Sequence, residues 1–217
     1  MTPPPLFLLS GLGADERLFQ FLQLQHPNPV VIQWIAPLPN ESLGAYAGRL
    51  LAQLGPIAEP PVLVGLSFGG MVAQELARRI PVRRVILLSS LANTGDLPWY
   101  YRAGGFLRLQ HLVPFQLAKR WTAPTAWLFG AQTPAEKKIL AAIVRDTDPA
   151  FLRWALTAIL RWRHTAPVPN RVIIHGDRDK ILPVPHQAGV HVVQGGEHLM
   201  VMSRAAEVSA LLNRYLH

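Results

Sequence analysis

The chain has no cysteine among its 217 residues. Disulfides, thiolate metal sites and a cysteine nucleophile are therefore excluded together. Charge is sparse: Asp, Glu, Lys and Arg make up 16% of the residues, while 50% are apolar. Long apolar runs are missing as well. Residues 61–66 and 85–88 are among the longest, and both fall far short of the roughly 20 residues that a membrane-spanning helix needs. Met1-Thr2-Pro3-Pro4-Pro5 carries no basic leader, and residues 6–9 are too short for a signal core, so a cytoplasmic protein without a membrane span is expected. There is no Gly-x-x-x-x-Gly-Lys-Ser/Thr, which excludes a P-loop at the level of the motif. The eight histidines are scattered without H-E-x-x-H or similar spacing, so neither a metal nor a cofactor is expected. Gly11-Leu12-Gly13 lacks the third glycine of a dinucleotide turn, because position 16 is Glu16.

What the chain does have is an uneven charge of +8. Residues 91–165 hold ten Lys and Arg against four Asp and Glu, and five of the six tryptophans. Dense aromatics beside scattered arginines suit an apolar cleft with a basic rim, so no nucleic-acid partner is expected. A length of 217 residues at half apolar composition suits one domain with an inserted segment.

Outside that segment, short apolar runs alternate with helical patterns. Residues 6–9, 30–35, 62–66, 85–88, 172–174 and 190–193 read as six strands. Residues 16–24, 42–54, 71–80 and 205–216 read as helices. The strands are apolar without alternation, as expected of strands buried on both faces of a parallel sheet. This predicts the α/β class, a mostly parallel six-stranded sheet with helices on both faces and functional loops at one edge.

Three of those loops carry chemistry. Gly65-Leu66-Ser67-Phe68-Gly69 lies between a strand and a helix, where G-x-S-x-G makes a tight turn that projects the serine hydroxyl. A serine needs a base to take its proton, and the base needs an orienting acid. Residues 175–183 follow the fifth strand and offer Asp177 and Asp179; Gly195-Gly196-Glu197-His198 follows the sixth. Asp177 stands two residues from Asp179 as the alternative acid.

With Ser10-Gly11-Leu12-Gly13 after the first strand, these motifs stand in the order found in the α/β-hydrolase superfamily, which the chain resembles over most of its length. The resemblance implies Ser67 as nucleophile, His198 as general base and then acid, and Asp179 as the residue that orients the histidine. It implies an oxyanion hole from the backbone N–H groups of Phe68 and Leu12, with Gly13 as alternative to Leu12. It also implies a core of residues 1–90 and 166–217 and an inserted helical cap of residues 91–165. The activity implied is cofactor-free hydrolysis of a small or medium carboxylic ester through an acyl-enzyme. A thioesterase, a C–C hydrolase or lyase on the same triad, or a ligand-binding sensor are the alternatives. Two departures mark a trimmed member: no strand precedes Leu6, and Pro183 and Pro185 leave no room for a helix between the last two strands.

The other candidates read as structural. His175, His191, His186 and His26 are expected in core or loop positions, and Glu197 as a solvated neighbour of the base. His111 and His164 lie in the inserted segment, where a substrate contact is the alternative. Within that segment, Pro134 behind Thr133 and Pro149 behind Asp148 mark two helix starts, the second carrying a stripe of Phe151, Trp154, Ala155, Ala158 and Ile159. Trp99, Tyr100, Tyr101, Phe106, Trp121, Trp127 and Phe129 are expected mostly to pack the cap onto the sheet, with a minority roofing a pocket. Arg161 and Arg163 are expected at a solvated rim.

Overall fold

A computed structural model describes residues 3–106, 122–164 and 166–217. Six strands form one sheet: β1 (Leu6–Leu9), β2 (Pro29–Ile32), β3 (Val62–Leu66), β4 (Arg84–Leu88), β5 (Arg171–Gly176) and β6 (Val190–Val193). Their order is β2-β1-β3-β4-β5-β6, and every pairing is parallel. The chain leaves β1 toward one edge and β3 toward the other. The loops after these two neighbouring strands therefore diverge and leave a crevice at their carboxyl ends, where ligands bind in open α/β sheets.

Burial on both faces explains the unbroken apolar runs of the central strands, whereas the edge strands β2 and β6 are largely exposed or half-buried. Leu6, Leu8, Val62, Val64, Leu66, Ile86 and Leu88 enter one core layer, and Phe7, Leu9, Leu63, Val85 and Leu87 enter the other. The second layer is closed by α1 (Leu43–Leu50) and α2 (Phe68–Ala77), through Tyr46, Leu50, Met71 and Leu76. Between β4 and β5 lie α3 (Trp99–Phe106), α4 (Thr122–Phe129), α5 (Pro134–Asp146) and α6 (Pro149–Arg161). The first layer is closed by α7 (Met200–Ser203) and α8 (Ala205–Asn213), through Met200, Val208 and Leu212. The inserted helices extend both layers: Leu140 and Ile143 of α5 join the first, and Phe151, Ala155 and Ala158 of α6 join the second.

The two helix starts marked in the sequence are capped as their residues dictate. Thr133 accepts from the Glu136 N–H while the Glu136 carboxylate reaches back, with Pro134 in the first turn. Asp148 accepts from the Ala150 N–H ahead of Pro149. The stripe on α6 divides: Phe151, Ala155 and Ala158 are buried, and Trp154 and Ile159 pack half-buried against the same layer.

Three elements differ from the sequence reading. Residues 16–24 form only a 3-10 turn at Glu16–Leu18. The backbone beyond it is held instead by side chains of α8: Ser209 Oγ accepts from Gln23 N–H, Asn213 Oδ1 from Gln25 N–H, and Asn213 Nδ2 donates to Gln23 O. These bonds replace the ones a helix would supply internally. The second strand stops at Ile32, because the Gln53 side chain takes both backbone groups of Gln33. The first long helix gives way at Leu51 to a 3-10 turn ending at Leu54. Among the described residues no strand precedes Leu6, no helix lies between β5 and β6, and no helix is long and apolar enough to cross a membrane.

Leu87 sits fully buried in a central strand. Replacing it with alanine is expected to cost about 3 kcal/mol. Calorimetry should then show a melting temperature lower by roughly 6–12 °C.

Candidate active site

Ser67 follows β3 directly, and its backbone stands at φ 52° and ψ −116°, a conformation that L-residues avoid. The turn is possible because the residues two positions to either side have no side chain. A Cβ at Gly65 would overlap the backbone of Gly69 and Gly70, and one at Gly69 would overlap the carbonyls of Leu9 and Ser10. Three hydrogen bonds then fix Ser67. Its N–H donates to Leu88 O at 2.8 Å, and its carbonyl accepts from Ser90 Oγ at 2.6 Å and from Gly70 N–H at 3.0 Å.

Asp179 and His198 arrive on the loops after β5 and β6. Gly176 and Gly196 let these loops touch, since a Cβ on Gly176 would overlap the Gly196 carbonyl. Arg178 N–H donates to Gly196 O at 2.9 Å across the contact. Asp179 Oδ1 accepts from the N–H groups of Ile181 (2.8 Å) and Leu182 (2.9 Å). Its Oδ2 lies 2.8 Å from His198 Nδ1, and His198 Nε2 lies 2.9 Å from Ser67 Oγ. The carboxylate is an acceptor, so Nδ1 carries the proton and Nε2 is free to accept the serine hydrogen. The Asp179 side chain is fully buried and His198 is 2% exposed. Burial pushes the Asp179 carboxyl up. Hydrogen bonds from His175 and His198, the His198 charge and the Leu182 N–H outweigh it and hold the group well below the usual carboxylate range.

The loop after β1 closes the site from the other side. A Cβ on Gly11 would stand 3.9 Å from Ser67 Cβ, so Gly11 borders the serine. Phe68 is the first residue of α2, and its N–H has no intrahelical acceptor. Gly13 has φ +67° and packs against Thr147, whose hydroxyl lies 2.8 Å from Gly13 O.

The remaining candidates scatter. Asp177 accepts from Gly195 N–H at 2.6 Å and does not reach His198. His164 is buried and stacked on Trp162, its pKa lowered chiefly by burial. His191 meets the Tyr215 hydroxyl, His26 meets Pro4 O, and His186 is exposed. His111 and Trp121 lie outside the described residues, as does the Phe106 side chain. Glu197 is not simply solvated: it forms an ion pair with Lys180, the neighbour of Asp179. Lys180 also donates to Trp127 O and sits over the Trp127 ring. Of the rings expected to pack the cap, Trp99 is 74% exposed, Trp127 66% and Tyr100 50%. Phe129 instead packs T-shaped on the His198 ring, centroids 5.7 Å apart, and Tyr101 donates to Ile181 O. Arg161 and Arg163 are exposed in a cleft of about 1850 Å³ shared with Arg78, Arg102 and Arg153, which neither Ser67 nor His198 borders.

Two residues near the site were given no role there by the sequence analysis. His175, read as a core histidine, is fully buried with Nε2 3.0 Å from Leu182 O and 3.3 Å from Asp179 Oδ2. Trp34, the one tryptophan outside residues 91–165, donates to Gly11 O at 3.1 Å. Its position just beyond the strand that pairs with β1 was the available clue.

The depressed pKa of Asp179 sets a sign for acid stability. Its contribution is present above the unfolded value of about 3.9 and is lost as pH falls toward the lower folded value. Denaturant titrations below about pH 5 should therefore show the native protein losing stability more steeply than Asp179→Asn. Parallel pH dependences would contradict this.

Comparison with known proteins agrees with the geometry. A family model for the alpha/beta hydrolase family matches residues 6–211. The poly(3-hydroxyalkanoate) depolymerase of Ectopseudomonas oleovorans is 24% identical over 250 residues, covering 98% of this chain and 84% of that protein. Among solved structures, an esterase from Exiguobacterium antarcticum matches with a TM-score of 0.74 at 14% identity, over 99% of this chain and 92% of that chain. A thermophilic esterase from Thermogutta terrifontis matches with a TM-score of 0.71 at 20% identity, over 99% of this chain and 90% of that chain. An all-parallel sheet in this strand order, a strained serine at its switch point and a family match spanning nearly the whole chain lead to one assignment: this chain belongs to the α/β-hydrolase family.

Proposed function

We propose that the protein is a serine hydrolase of small or medium carboxylic esters, with Ser67, His198 and Asp179 as its catalytic triad. The observation that carries this reading is the unbroken hydrogen-bond chain from Ser67 Oγ through both imidazole nitrogens to a buried carboxylate. His198 Nε2 takes the serine proton as Oγ attacks the ester carbonyl, and Asp179 stabilises the imidazolium without taking its proton. The negative charge that develops on the carbonyl oxygen is received by the N–H groups of Phe68 and Leu12. The tetrahedral intermediate collapses, His198 passes its proton to the departing alkoxide, and the alcohol leaves. Water, deprotonated by His198, then attacks the acyl-enzyme and releases the acid by the same route.

An ester is favoured as the substrate because relatives named as a polyhydroxyalkanoate depolymerase and as esterases share this fold over most of their length. The half-buried apolar side chains of Leu12, Trp34 and Phe129 near the serine suit aliphatic or aromatic acyl and alcohol groups. In this reading residues 91–165 form a cap on a core of residues 1–90 and 166–217. The bond from Lys180 to Trp127 O and the packing of Phe129 on His198 support that division.

Two measurements test the proposal. Ser67→Ala should abolish hydrolysis of p-nitrophenyl esters and labelling by a fluorophosphonate; retained turnover would defeat the reading. Asp179→Asn leaves the imidazole without its orienting charge and should lower kcat by about 10⁴. A loss of less than tenfold would remove Asp179 from the triad.

A further inference from the structure

The peptide that joins Gly11 to Leu12 has a job at each end. Its N–H is a donor for the oxyanion in the reading above, and its carbonyl oxygen accepts two hydrogen bonds. One comes from Ala14 N–H at 3.0 Å, within the same loop. The other comes from Trp34 Nε1 at 3.1 Å, across 23 positions of sequence. A trans peptide is planar and its C=O and N–H point in opposite directions. Whatever holds the Gly11 oxygen therefore aims the Leu12 hydrogen. Gly11 and Gly13 flank Leu12, and glycine permits backbone rotations that other residues do not, so an outside anchor matters here.

Trp34 is placed to be that anchor. Ile32 pairs with Leu9 in parallel register, so the segments that follow β2 and β1 leave the sheet side by side. The indole is held by rings: Phe68 at 5.3 Å, Phe151 at 6.1 Å and Tyr46 at 6.3 Å between centroids. Phe68 supplies the other oxyanion donor, so one side chain packs on the residue bearing one donor and hydrogen-bonds the peptide bearing the second. A hydrogen bond to the carbonyl also polarises the amide and strengthens its N–H as a donor.

We propose that Trp34 is a positioning residue for the oxyanion hole: its indole N–H fixes the Gly11 carbonyl so that the Leu12 N–H faces the oxygen that becomes negative on attack by Ser67. This rests on the ester-hydrolase reading of the site. Removing an oxyanion donor outright costs about 10²–10³ in kcat. Loosening one should cost less, about tenfold.

The test uses Trp34→Phe and, at the same position, β-(3-benzothienyl)alanine, which keeps the bicyclic shape and replaces N–H by sulfur. The benzothienyl side chain conserves shape and should keep the melting temperature within a few degrees, and Trp34→Phe keeps a ring against Phe68, Phe151 and Tyr46. With p-nitrophenyl esters, both should lower kcat about tenfold with KM and the pH profile unchanged. Fluorophosphonate labelling of Ser67 should slow in the same proportion. The amide proton of Leu12, read by two-dimensional NMR, should shift in both. Unchanged kcat in either folded variant overturns the proposal, as does wild-type kcat restored by the benzothienyl side chain alone, because ring packing would then suffice. If the unaltered protein neither hydrolyses esters nor takes up the phosphonate, the ester reading fails by itself. The Leu12 resonance then decides the anchoring role, and an unmoved resonance ends it.

Discussion

Ser67 keeps its left-handed backbone because glycines leave room around it and hydrogen bonds from three elements fix it in place. A non-glycine residue in such a conformation costs on the order of 1–3 kcal/mol, and the surrounding structure must over-determine it. Here that structure is the sheet. Leu88 ends the neighbouring strand, Ser90 follows it, and the Leu9 and Ser10 carbonyls crowd Gly69 from the strand on the other side. The serine hydroxyl is thus aimed by contacts to the two strands that flank β3, with little left to loop conformation. The divergence of chain direction between β1 and β3 then brings Gly11 alongside it.

The electrostatic half of the site is built with comparable economy of position. A carboxylate withdrawn from water would normally be driven to protonate. Asp179 stays ionised because two backbone N–H groups and two imidazoles surround it, with each oxygen engaged. His175 Nε2 lies nearer to the Leu182 carbonyl than to Asp179, so it braces the acid's loop as well as facing the acid. One residue after Asp179 and one before His198, Lys180 and Glu197 make a second, outer bridge beside the one between Asp179 and His198. Side chains therefore join the two loops in the interior and near solvent, beside the Arg178–Gly196 and Asp177–Gly195 bonds.

How much of this was legible follows from the range of each signal. Strands buried on both faces announce themselves as apolar runs, and G-x-S-x-G states a steric need that only glycine meets, so the sheet and the turn at Ser67 were readable. The helix expected at residues 16–24 was not formed, because Ser209 and Asn213, nearly 190 positions away, capture its backbone. The same limit hid Trp34, whose partner Gly11 is a neighbour only after β2 pairs with β1. Aromatic composition misled differently. Rings in residues 91–165 suggested packing, but composition does not tell which face a ring takes: Phe151 and Trp162 are buried while Trp99 and Trp127 face solvent.

That contrast bears on where chemistry and selectivity reside. Gly11, Ser67, Asp179 and His198 sit on loops at the ends of β1, β3, β5 and β6, all in one pleated layer whose register is fixed by hydrogen bonds. The inserted helices meet the site through rings and a few polar groups: Phe151 and Trp154 on Phe68, Phe151 on Trp34, Phe129 on His198, the Tyr101 hydroxyl on Ile181, and Lys180 on Trp127. Substitutions in those helices can reshape the space above Ser67 without disturbing the hydrogen-bond chain beneath it. A fold arranged this way lets the space around Ser67 vary while the turn that holds it does not, because that turn is fixed by the strands beside it.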